Sequence, residues 1–356
     1  MNRTKRVEAL RRTLEAGAGF LVTSRENVRY LSGFTGTAGV LLIAGERAFF
    51  LTDFRYLSQS EKEVSGMERR ICSKQIEGLS EVLGECGLSR LKFEAGSVSF
   101  WEYEELRRSL GGIELTPTQD IVEDLRHVKD EEELAAMRRA VELTAGAWGE
   151  ILDSRIEGVK ERDLAVDLEF RLKRAGSERT PFDFIVASGE RGALPHGVAS
   201  DRCVGRAELV TFDFGACVGG YYSDLTRTVS VGSVSDGLKE IYDVVLEANR
   251  AGIAAVKPGV RAKDVDAAAR AVIEEAGHGE HFGHGTGHGL GLGVHEGLRI
   301  AKGQERELVC GMVFTVEPGV YVPGLGGVRI EDMVLVTGDG AEVLTAQIPK
   351  ELTAVG

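Results

Sequence analysis

His284-Gly285-Thr286-Gly287-His288-Gly289-Leu290-Gly291-Leu292-Gly293-Val294-His295 is the stretch on which the reading of this chain turns. Glycine takes every second place from Gly283 to Gly293, and three imidazoles are spaced along the same backbone. So few side chains cannot build a core, so something other than packing fills the space around them. The nearest candidates are acidic: Asp213 and Asp224 upstream, Glu317 and Glu331 downstream, each in or just after a short apolar run.

Working outward, Leu209 to Phe214 reads as a strand from its β-branched and aromatic content, and Tyr221 to Val231 as another, with Gly219-Gly220 as turn residues. A hairpin centred between residues 218 and 219 sets Asp213 opposite Asp224, with Cβ atoms about 5 Å apart. Val313 to Glu317 and Val328 to Val336 repeat the device around Pro323-Gly324-Leu325-Gly326-Gly327, which sets Glu317 opposite Glu331. Two ionised carboxylates that close in an apolar sheet repel by several kcal/mol, on the order expected at intermediate dielectric. One of each pair takes up a proton unless a cation sits between them. A shared proton accounts for one such pair and poorly for two. Two divalent ions balance the four negative charges, and a neutral His288 adds a nitrogen donor without changing the sum. A set dominated by oxygen, with one imidazole and no thiolate, suits Mn, Co, Fe(II), Zn or Mg.

The acids sit inside a repeat. Gly158-Val159-Lys160-Glu161-Arg162-Asp163-Leu164, ending at Ala175-Gly176, is matched at constant offset by Gly259-Val260-Arg261-Ala262-Lys263-Asp264-Val265, ending at Ala276-Gly277. Thr211-Phe212-Asp213-Phe214-Gly215 and Thr315-Val316-Glu317-Pro318-Gly319 match at nearly the same offset. Each half is expected to be a helix pair followed by antiparallel strands. Upstream, Asp130 followed by Glu133 is a helix-start signal for a helix running to about Trp148, and a domain boundary is expected near Leu125 to Lys129. Before it, strand patterns at Gly19–Thr23, Gly39–Ile43, Ala48–Thr52 and Leu91–Glu94 alternate with helical patterns at Met1–Gly17, Glu77–Gly87 and Trp101–Leu110, which favours a small α/β domain. Arg29, Asp53 and Arg55 there read as solvated charges.

With 356 residues the chain has room for two cores. A formal charge of −13 repels nucleic acid and anionic membranes while welcoming metal cations. Five scattered cysteines, none in a C-x-x-C pair, read as reduced and mostly buried thiols. The charged N-terminal segment lacks the apolar core of a secretory signal, and no apolar run is long enough to span a bilayer. A cytoplasmic protein is therefore expected.

Asp213, Asp224, His288, Glu317 and Glu331, in that order, resemble the ligand set of the pita-bread metallopeptidases, the family of methionine aminopeptidase, aminopeptidase P and prolidase. Leu194-Pro195-His196-Gly197, Ser223-Asp224-Leu225-Thr226-Arg227-Thr228, Val316-Glu317-Pro318-Gly319 and Val328-Arg329-Ile330-Glu331-Asp332 are similar to signatures of its Xaa-Pro branch. Tyr30-Leu31-Ser32-Gly33-Phe34 and Thr52-Asp53-Phe54-Arg55-Tyr56 are similar to strings of the creatinase-type N-terminal domain. The resemblance implies an α/β domain over residues 1–125, followed by a pseudo-twofold pita-bread catalytic domain with an antiparallel sheet over 126–356.

It also implies a dinuclear exopeptidase that cleaves between an N-terminal residue and proline, acting on short peptides as a homodimer. Manganese heads the candidate metals, with cobalt, zinc and iron as alternatives. Glu317 is carried over as ligand and proton carrier, and His196 and His295 as donors to the substrate carbonyl and oxyanion. His284 is carried over as a lining of the proline pocket, and Arg329 as an anchor for an acidic ligand or a product carboxylate. His127, His278 and His281 read as surface residues. A methionine-type aminopeptidase and a catalytically silent binding protein of the same fold are the alternatives. A dimetal phosphoesterase would present more histidines and a basic residue for phosphate.

Overall fold

The computed structural model describes residues 3–355, so Met1 and Asn2 of the first helical pattern lie outside the described residues. Contacts divide the chain into two compact units, Met1–Arg126 and His127–Gly356.

The first unit is built on a six-stranded mixed sheet. Its spatial order is Glu68–Ile71, Arg47–Thr52, Gly39–Ala44, Ala18–Val22, Arg90–Glu94 and Glu114–Thr118. The two-residue turn Gly45-Glu46, with Gly45 at φ +52°, closes the hairpin read from the sequence. Helices Gln75–Cys86 and Phe100–Ser109 lie where their apolar periodicity predicts, and Leu79, Phe49, Leu51 and Phe93 pack in the core of the unit. The first helix is shorter than expected, Arg3–Arg11. Its backbone tightens into i→i+3 bonds at Thr13 and Leu14, and Gly17, at φ +76°, turns the chain into the next strand, so Leu14 is only half-buried. Asp53 caps a 3-10 turn and binds Arg55 through both carboxylate oxygens.

The second unit repeats itself as the sequence predicts. Helices Glu131–Leu152 and Glu161–Ala175 precede the strands Ile185–Ser188, Glu208–Phe214 and Leu225–Val231. Helices Asp236–Ala254 and Ala262–Glu275 precede the strands Gly287–Gly289, Val313–Val316 and Asp332–Val336. The repeated glycines have a shared cause: Gly158 and Gly259 sit at φ +80° and +81°, and Gly176 and Gly277 at +110° and +83°, backbone positions that a Cβ disfavours. Asp130 and Glu133 form a reciprocal capping box at the start of the long helix. Behind the strands, Trp148 packs edge-on against Phe212 with ring centroids 5.3 Å apart.

The two hairpins behave differently. In the second, the ladder pairs Val316 with Asp332 and Gly319 with Arg329, so Glu317 and Glu331 stand opposite one another as expected. In the first, the partner of Asp213 is Thr226, not Asp224. The turn residues Gly219 and Gly220 both take positive φ, +59° and +84°, in a two-residue loop closed by Val218 and Tyr221, and this moves the hairpin centre by one residue. Asp224 falls in a break between the strands Tyr221–Tyr222 and Leu225–Val231, diagonal to Asp213. By the same register Thr226 is the repeat equivalent of Glu331. These two also join the half-sheets, since Glu331 N–H donates to Thr226 O at 3.1 Å.

The cysteines are less buried than expected. Only Cys217 is buried, Cys72 and Cys86 are half-buried, and Cys203 and Cys310 are exposed. Among the described residues no helix is long and apolar enough to cross a membrane.

Candidate metal centre

The break in each hairpin releases backbone from the ladder and lets side chains gather where the halves meet. Nine residues singled out from the sequence, namely Asp213, Asp224, Glu317, Glu331, Arg329 and the histidines 196, 284, 288 and 295, line one cavity of about 750 Å³. Ligand atoms of Asp224, His288 and Glu331 lie within 4.8 Å of one another. His288 Nε2 is 3.6 Å from Asp224 Oδ2 and 3.3 Å from Glu317 Oε1. Its Nδ1 lies 3.2 Å from Gly289 O, and a carbonyl only accepts, which assigns the proton to Nδ1 and turns the lone pair of Nε2 toward the acids. Burial lowers the His288 pKa, so the ring is neutral and fit to donate that pair.

The acids are poorly served by protein donors. Arg329 Nη2 donates to Asp213 Oδ2 at 2.6 Å and Thr226 Oγ1 to Glu331 Oε2 at 2.7 Å. Thr315 Oγ1 donates to Glu317 Oε1 at 3.0 Å. Among the described residues, Asp213 Oδ1 and Asp224 Oδ1 are buried with no hydrogen-bond partner. Burial, with the charge of neighbouring acids, raises the pKa values of Asp224 and Glu331 well above the carboxylate range. Burial also raises that of Glu317, against the opposing charge of Arg329. Orphaned oxygens, raised carboxyl pKa values and a lone pair aimed among them are what a donor set for divalent cations presents in protein atoms alone, and these residues fit such ions.

This gives the metal-stripped protein a pH dependence of definite sign. Groups whose folded pKa is raised stabilise fully below their unfolded pKa, about 4 for carboxyls, and lose that contribution as pH rises through the folded value. The lowered pKa values of His284, His288 and His295 work in the opposite direction below about 6.5. The urea midpoint of protein held in chelator should therefore fall as pH is raised from about 7 to 9, with divalent metal reversing the trend. A midpoint in chelator that rose over that range would contradict it.

Around the acids, Arg329 is fully engaged. It donates to Asp213, to Pro195 O and Tyr321 OH at 3.0 Å, and from Nε to Thr226 Oγ1 at 3.1 Å. Tyr321 OH in turn lies 2.9 Å from His284 Nε2, and His284 Nδ1 lies 2.7 Å from Gly285 O, so His284 accepts from the tyrosine. His295 stands ring-to-ring with His288 at 4.2 Å, and its pKa is lowered by burial and by that neighbour. His196 is exposed on the cavity wall. Of the histidines read as surface residues, His278 and His281 are half-buried, but His127 is buried and accepts from Arg306 at Nδ1, 3.1 Å.

Sequence reasoning missed Tyr321, Thr226 and Thr315. Thr226 was findable: the correct register puts it opposite Asp213. The alternating glycines have a packing cause, and backbone of adjoining strands fills the space around them. A Cβ on Gly287 would lie 1.8 Å from Thr315 O and one on Gly289 2.6 Å from Glu296 O, so adjoining strands already occupy that space. Phe184 points into the core, while its neighbours Phe182, Asp183 and Ile185 line the cavity.

A duplicated helix-pair and sheet fold, with four acids and one imidazole gathered where its halves meet, is the pita-bread architecture of a metal-dependent hydrolase. Residues 135–338 match metallopeptidase family M24, and residues 6–128 match the creatinase/prolidase N-terminal domain. The chain belongs to metallopeptidase family M24. It is 40% identical to the Xaa-Pro dipeptidase of Pyrococcus horikoshii over 91% of this chain and 92% of that protein. Among solved structures, the Xaa-Pro dipeptidase from Bacillus anthracis superposes with a TM-score of 0.97 at 42% identity, covering 99% of this chain and 100% of that one. The X-Pro aminopeptidase from Thermotoga maritima superposes at 0.91 with 36% identity, covering 97% and 99%.

Proposed function

We propose that the chain is an Xaa-Pro dipeptidase that binds two divalent ions per subunit through Asp213, Asp224, His288, Glu317 and Glu331. The observation that carries this reading is the convergence of Asp224, His288 and Glu331 ligand atoms beneath a cavity walled by His196 and His295, in a chain of family M24. Held by these five side chains, divalent ions would supply an activated water near neutral pH. Glu317 holds the proton given up by the attacking water and delivers it to the proline nitrogen, which must be protonated before it leaves. His196 and His295 donate to the substrate carbonyl as it becomes an oxyanion, where preorganised donors lower a barrier most. Arg329, its hydrogen bonds taken up by Asp213, Pro195, Tyr321 and Thr226, orients Asp213 rather than a product carboxylate, and His284 lines the proline pocket through its bond to Tyr321.

Residues 1–125 form the creatinase-type domain and 126–356 the catalytic domain. The oxygen-rich donor set favours manganese, with cobalt, zinc and iron as substitutes. Thiols exposed at Cys203 and Cys310 suit the reducing cytoplasm, and exposed apolar side chains such as Phe54, Phe100 and Trp101 suit burial against a second copy in a homodimer.

The likeness to the Thermotoga enzyme favours a second reading, an Xaa-Pro aminopeptidase that accepts longer peptides. Metal-reconstituted protein assayed on Ala-Pro, Ala-Pro-Ala and Met-Ala-Ser separates them. Cleavage of Ala-Pro alone is the expected result, cleavage of Ala-Pro-Ala selects the second reading, and cleavage of Met-Ala-Ser alone overturns both.

A further inference from the structure

Lys129 precedes the long helix, where the sequence marks only a boundary. Its side chain is nonetheless 1% exposed, and Nζ lies 3.5 Å from Oε2 of Glu296, whose side chain is 4% exposed. Removing two charges from water is costly, and a buried pair adds little net stability over well-packed apolar groups. Such a pair therefore calls for a structural consequence. Glu296 directly follows His295. Its strand Glu296–Ile300 alternates buried and exposed, so the carboxylate turns inward beneath the glycine segment that joins His288 to His295.

That segment is folded around the carboxylate. Glu296 Oε1 accepts the Gly293 N–H at 2.8 Å, and Gly291 N–H donates to Gly293 O at 2.9 Å. A Cβ on Gly291 would come within 2.8 Å of Glu296 Oε2, so the backbone there lies against the acid. The lysine side is equally fixed: Lys129 N–H donates to Gly311 O at 2.9 Å, and Val128 bridges to Met312. The neighbouring His127 ring lies flush on Gly297, where a Cβ would be 2.5 Å from its Nε2.

We propose that Lys129 and Glu296 are positioning residues for His295. The ion pair mounts the glycine segment on the start of the catalytic unit and thereby sets the imidazole beside His288. The proposal rests on the reading of His295 as a donor to substrate.

Two measurements test it. Hydrogen exchange of the 289–295 segment needs no substrate: Glu296→Gln and Lys129→Met should raise exchange at Gly291 and Gly293 about 10-fold or more, and unchanged exchange in both would overturn the proposal. In Ala-Pro hydrolysis, Glu296→Gln should lower kcat about 10- to 100-fold with KM within about twofold. Lys129→Arg should recover most of what Lys129→Met loses. In a His295→Ala background Glu296→Gln should cost less than about twofold more, because it acts through that ring. A full additional loss in that background would overturn the assignment. Wild-type protein inert toward Ala-Pro would defeat the substrate reading alone, and the exchange result would still decide the mounting role.

Discussion

Glu317→Gln should lower kcat for Ala-Pro by about 10³-fold or more in metal-saturated buffer, with KM and thermal midpoint little changed. The amide keeps the shape of the side chain and an oxygen to accept from Thr315 Oγ1, which donates to Glu317 Oε1 at 3.0 Å. What it cannot do is carry a proton between water and the departing nitrogen. General acid–base catalysis contributes roughly 10²- to 10⁴-fold, and an imino nitrogen that must be protonated to leave belongs at the upper end of that range. A correctly folded, metal-loaded variant that retained more than about a tenth of the wild-type kcat would contradict the proton-carrier role.

Much of this site was legible in the sequence because it is built from local rules. The capping signal at Asp130 and Glu133 placed the long helix, and the repeated glycines at 158 and 259 marked a turn that needs positive φ in both halves. The second hairpin gave up its register because its loop is symmetric about Gly324, which left Glu317 opposite Glu331. The first did not, because the reading fixed the pair of acids before fixing the turn. With Gly219 and Gly220 as the two loop residues, Thr226 faces Asp213, and Asp224 reaches the centre through a break in the strand. The supports were not legible. Tyr321 between His284 and Arg329, and Lys129 beneath Glu296, are contacts across long sequence separations that no periodicity announces. Burial of charged and polar groups was likewise underestimated at His127 and overestimated at the cysteines, since both depend on tertiary neighbours.

Removing the ions should have an effect as large as losing Glu317. Four carboxylates placed this close cannot all ionise at neutral pH without counter-charge, which is why burial and mutual repulsion raise the pKa values of Asp224 and Glu331 in the metal-free protein. Without divalent ions these side chains alone offer substrate no activated water, so turnover in chelator should fall by at least about 10³-fold and return with divalent metal. Asp224→Asn should bind less metal than the wild type, since it removes a charge from the donor group of Asp224, His288 and Glu331. The most direct measurement is elemental analysis of the protein after saturation with Mn(II) and removal of free ion. About two ions per chain are expected for a dinuclear centre, and a chain that retained none would contradict it.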